Sequence, residues 1–109
     1  MTADGFRRGR LEDPAGAPAI GERFLELVPF PTATIEQILS GKLAEPAAFE
    51  QPHDEWVVLL AGGAKMLVDG EELELDAGDW LVIPAGCQHT VLETQPGSSW
   101  LAVHLAGRS

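Results

Sequence analysis

Three histidines and one well-placed glutamate are the side chains of this sequence best suited to hold a cation: His53, Glu55, His89 and His104. Three imidazoles and a carboxylate make a donor set that suits Fe(II), Mn(II), Ni(II) or Zn(II). His53 and Glu55 lie two residues apart, so in an extended strand they face the same side, and Pro52 is placed to start such a strand. If the strand begins later, His53 stands exposed at a rim and Glu55 is a rim carboxylate beside Asp54. Gln51 shares their parity and could ligate weakly or bond a bound water. Glu55 precedes the apolar run Trp56-Val57-Val58-Leu59-Leu60, and a carboxylate buried there needs a partner. His104 ends Trp100-Leu101-Ala102-Val103-His104. Alternation sets Trp100, Ala102 and His104 on one face, with the small Ala102 leaving room for a pocket. Glu93, four residues past His89, is the candidate catalytic acid–base group; it could also support an imidazole or face water. Glu36 is the other spare carboxylate. Tyrosine is absent, which excludes a phenol from any mechanism.

The elements that must position these groups read as short strands. Gly78 opens a turn before Trp80–Ile83, and Pro84-Ala85-Gly86 make a second one that delivers His89 to the start of a new strand, His89–Thr94. Upstream, Glu22–Val28 reads as a strand closed by Pro29-Phe30-Pro31, and Thr32–Leu39 as another. Lys42–Ala48, with Pro46 in its midst, reads as a loop. Trp56–Leu60 and Lys65–Val68 follow. Asp69-Gly70 is a strong hairpin signal, returning the chain through Glu71–Asp76. Gln95–Ser98 turns into the last strand, Ser99–Leu105. No segment makes a long helix. Seven or eight short strands with frequent turns predict an antiparallel all-β sandwich or barrel. Phe49, Met66 and Trp80 are core candidates, whereas Trp56 faces outward if Glu55 faces inward.

The run Gly78-x5-Pro84-x-Gly86-x2-His89 resembles the second signature motif of the cupin superfamily. Glu55-x6-Gly62 fits half of the first motif. The His-x-His pair that completes it is absent: its positions fall on Ala48 and Glu50, or on Phe49 and Gln51 with the shorter spacing. Glu93 stands where the second motif usually carries asparagine. The resemblance spans Thr34 to Leu105 and implies a double-stranded β-helix, or jelly-roll barrel. It also implies a divalent metal at His89 and Glu55, which His53 and His104 would complete in place of the missing pair. Small cupins include dioxygenases, isomerases, decarboxylases and lyases. The expected function is a metal-binding cupin, an enzyme acting on a small molecule. The alternatives are a non-catalytic binder of metal or small ligand, and a metal-free dimeric scaffold.

The 109 residues carry a net charge of −10, which disfavours nucleic acid and anionic membrane as partners. Hydrophobic residues make up 45%, enough for a core and for an interface besides, and an outward Trp56 predicts a homodimer or a covering arm. Residues 1–20, rich in Gly, Ala, Pro and charge, read as a mobile arm or strap, and 21–109 as one domain. Cys87 is the lone cysteine, so no internal disulfide forms, and no apolar run is long enough to span a bilayer. The expected location is cytoplasmic.

Overall fold

A computed structural model describes residues 5–105. Nine strands follow one another in the chain: β1 (Glu22–Phe30), β2 (Ala33–Ser40), β3 (Ala47–Phe49), β4 (Asp54–Ala61), β5 (Gly63–Val68), β6 (Glu71–Asp76), β7 (Trp80–Ile83), β8 (His89–Thr94) and β9 (Ser98–Leu105). They form two antiparallel sheets, ordered β1-β2-β9-β4-β7 and β3-β8-β5-β6. The inner faces close over a core of Val57, Leu59, Met66, Leu75, Ile83, Val91, Trp100 and Ala102. This is a jelly-roll barrel, and among the described residues its one helical element is a 3₁₀ turn at Pro14–Gly16.

Alternation along β4 shows how sequence becomes layer. Glu55, Val57 and Leu59 are buried, while Trp56 and Val58 on the other parity are partly buried and Leu60 is exposed. The Asp69-Gly70 hairpin forms as its sequence predicts: both residues have positive φ, 49° and 81°, and join Val68 to its partner Glu71.

Three expectations need correction. Pro29 does not close β1, because β1 is an edge strand in which a missing N–H breaks no ladder on the open side. The Lys42–Ala48 segment is not all loop, since Ala47–Phe49 pairs with β8, Phe49 opposite His89. Trp80 is not a core residue: it lies 60% exposed on the edge strand β7, beside Trp56 at 6.5 Å between ring centroids.

The N-terminal segment lies over the outer face of β2. Gln37, fully buried there, accepts from the Glu12 backbone N–H at 2.8 Å and donates to the Glu12 carbonyl at 3.0 Å. Gly41 makes that passage possible, because a Cβ at its position would overlap the carbonyl oxygen of Pro18.

Candidate functional site

The two sheets leave a cavity of about 60 Å³ between them, lined by side chains of β1, β2, β4, β7, β8 and β9 together with Phe49, Gln51 and Met66. Its deep end is built by the turn before β8. There the Gly86 N–H donates to the Gln51 carbonyl (2.8 Å), and the Ala85 N–H donates to Asp54 Oδ1 (2.8 Å). These two bonds fix the approach to β4 against the turn that delivers His89, so Gln51, Glu55 and His89 face one space.

His89 is 5% exposed and its ring is stacked on Phe49, with centroids 5.7 Å apart. Its Nδ1–H donates to the Cys87 carbonyl at 3.1 Å, which turns Nε2 toward Glu55. Nε2 and Glu55 Oε1 stand 3.8 Å apart, beyond hydrogen-bond range. Glu55 Oε1 is the single buried side-chain polar atom without a hydrogen-bond partner among the described residues. Burial pushes the Glu55 carboxyl above its ordinary value, against the attraction of His104 and His89.

His104 sits opposite Glu55 in the β4–β9 register but spends both ring nitrogens elsewhere. Nε2–H donates to Glu36 Oε1 at 3.0 Å, and Nδ1 shares a 2.9 Å hydrogen bond with His53 Nε2. The bond to Glu36 raises the His104 pKa, so its imidazolium form is favoured. His53 precedes β4, so the strand-parity argument does not reach it. It meets His104 edge-to-face rather than lining the cavity. Glu93 lies on the outer surface, with its side chain 71% exposed and 3.6 Å from Lys65 Nζ.

The structure therefore brings together Gln51, Glu55, His89 and His104, keeps His53 behind His104, and sets Glu93 apart. Among the described residues, no three His, Cys, Asp or Glu side chains are grouped as a metal centre. Two lining carboxylates enter from β1 and β2. Glu36 was visible in sequence only as a spare acid, and Glu22 carried no sequence signal. Glu22 accepts from the Ser40 hydroxyl at 2.6 Å, and burial raises its pKa. Phe49 was legible as a position, since the shorter motif spacing puts it where the missing pair would begin.

The family model for the cupin domain matches residues 35–104, and the chain belongs to that family. A protein from Ralstonia eutropha JMP134, named provisionally as a mannose-6-phosphate isomerase, is similar at 31% identity. The match covers 91% of this chain and all of that one, with a TM-score of 0.75. An RmlC-like cupin from Shewanella frigidimarina NCIMB 400 shares the fold at 21% identity and a TM-score of 0.70, over 82% of this chain and 79% of that one. KdgF from Halomonas sp. does so at 20% identity and 0.67, over 81% and 82%. No curated protein shows a significant match.

Proposed function

We propose that this chain is a small-molecule-binding cupin in which Glu55 and His89 hold a divalent cation at the deep end of the cup. The observation that carries this reading is Glu55 Oε1, a buried oxygen with no partner, facing an imidazole nitrogen 3.8 Å away. A carboxylate oxygen in that position is costly unless something positive or protonated meets it. The Nδ1 bond of His89 to a backbone carbonyl is the arrangement that fixes a metal-binding imidazole by its other nitrogen. Gln51 lines the same space. In this reading His53 and His104 are not ligands, because their nitrogens are committed to each other and to Glu36.

A divalent cation so held supplies polarisation of a ligand oxygen. The chain's own residues supply the rest. His104 holds a proton against Glu36 at the edge of the cavity, which makes it the group placed to give or take a proton there. Glu93, expected as the acid–base residue, leaves that role to His104. The isomerase name of the Ralstonia relative is not carried to this chain, because no Lys or Arg lines the cavity to receive a phosphate. We also infer that two copies pair through the face that carries Trp56 and Trp80.

Titration of the untagged protein with Mn(II), Ni(II) and Zn(II) by calorimetry tests the site. About one equivalent should bind to the wild type, with loss of binding in Glu55→Gln and His89→Ala and retention in His53→Ala and Glu93→Gln. Wild-type protein that takes up no cation, or Glu55→Gln that binds as well as the wild type, sinks the proposal. The closed His53–His104–Glu36 chain favours a second reading, a metal-free barrel that binds its ligand by hydrogen bonds alone. Ligand binding that is undiminished in metal-stripped protein selects it.

A further inference from the structure

The cavity is graded from a dry, deep end to a wetter mouth. Glu55, His89, Trp100, Met66 and Ile83 are each no more than 6% exposed, whereas Phe24 is 49% exposed and Glu22 and Glu36 are partly exposed. At the deep end the Glu55 side chain is 7% exposed with an unpartnered oxygen, beside His89 Nε2. Both groups present acceptors there, a carboxylate oxygen and the imidazole nitrogen left bare by the Nδ1–H bond, so without a cation that end asks for a hydroxyl that donates. The walls are hydrocarbon and aromatic, from Ile38, Phe49, Met66, Val91 and Trp100. The enclosed volume, about 60 Å³, is well under the roughly 150 Å³ of an engineered cavity that takes benzene, so a ligand of about six heavy atoms seats only one end in the cup and leaves the rest at the mouth.

What the cavity lacks is a Lys or Arg side chain or a backbone cradle to receive a phosphate. No Lys, Arg or Gly lines it, so neither a basic side chain nor a glycine-rich backbone cradle is present. Three N–H and O–H donors beside the cup are already spent within the protein. Trp100 Nε1–H donates to Ser40 Oγ at 3.0 Å, the Ser40 hydroxyl donates to Glu22, and His104 Nε2–H donates to Glu36. A ligand arm reaching out of the cup would meet the carboxylates of Glu22 and Glu36, on a chain of net charge −10.

We infer that the cup takes a compact, uncharged hydroxyl compound of about three carbons, and rejects the same compound once it carries a phosphate. This rests on the cup being the ligand site, as proposed above, but not on the cation, since a hydroxyl can donate to Glu55 or His89 directly or give its oxygen to a cation held between them.

Calorimetry with dihydroxyacetone and dihydroxyacetone phosphate, on Zn(II)-loaded and on metal-stripped protein, tests it. The neutral compound should bind at least tenfold more tightly than its phosphate. Glu22→Gln, or added salt, should narrow that gap. Equal or tighter binding of the phosphate ester overturns the inference, as does failure of the neutral compound to bind protein that takes up Zn(II). If Zn(II) is not taken up but the neutral compound is still preferred, the cation proposal falls and this inference stands.

Discussion

Glu55 costs the fold stability, because one of its buried oxygens has no hydrogen-bond partner. Its pKa is raised from 4.5, so the folded chain holds that proton more tightly than the unfolded one, and stability falls as pH climbs through the window above 4.5. At neutral pH the penalty is in place, and Glu55→Gln, which removes the buried charge, should melt a few degrees higher than wild type in the absence of metal. Roughly 1 kcal/mol corresponds to about 4–8 °C in a domain of this size. The same variant should lose cation binding, and a variant that is both less stable and still cation-competent would contradict the assignment. His104 works in the same sense. Its raised pKa gives stability that is complete below 6.5 and lost as pH rises through the folded value. Thermal denaturation of metal-free protein from about pH 5.5 to about 8.5 should therefore show declining stability, and Glu36→Gln should flatten that decline. Alternation in the sequence was enough to put Glu55 and His104 on inner faces. It could not show that His104 would be claimed by Glu36 and His53, because those meetings depend on strand register and on a bend at His53 that leaves no periodic trace.

At the level of elements, turns did most to make the fold readable. Gly62, the glycine of the first-motif half, has φ 90° and lies against Ser98 so closely that a Cβ would overlap the Ser98 side chain and crowd its Cα. Gly70, in the β5–β6 hairpin, has φ 81° but open space around it. The two positions separate strain from steric overlap. Gly70→Ala should cost about 1 kcal/mol from the left-handed backbone alone. Gly62→Ala should cost about 3 kcal/mol, because crowding of Ser98 adds to that strain. Urea denaturation with matched slopes checks both, and equal losses would mean that the β4–β5 corner can relax around a side chain. Elements without a strong turn or period were the ones missed. β3 is three residues long and follows Pro46, too short for an alternation to register. β1 runs through Pro29 because its outer edge has no partner, which is a property of sheet order and not of the local sequence.

For the whole molecule, the outer face of the five-stranded sheet is divided. The N-terminal segment covers Gln37 and Leu39, both fully buried, but Trp80 and Val82 remain 60% and 59% exposed beside Trp56. Cross-strand register continues this patch through Val58, Leu101 and Val103, with no charged residue among these six. Sequence alone showed that Trp56 would face outward; it could not show that Trp80 would join it, since β7 reads as a buried apolar run. The occupant proposed is a second copy of the chain. The patch is apolar, lies at a sheet edge and includes the four-residue strand β7, which is paired on one side only, so a two-fold axis can close it on itself. Two chains of net charge −10 repel at long range, and salt screens that repulsion without weakening apolar burial. Dimerisation measured by sedimentation should therefore strengthen as salt rises, opposite to an interface held by ion pairs. Trp80→Glu should give a folded monomer, because it places a further negative charge at the most exposed residue of the patch without touching the cup. A wild-type chain that sediments as a monomer at about 100 μM, a concentration at which even a weak specific dimer with micromolar affinity would be populated, would leave this face without its proposed partner.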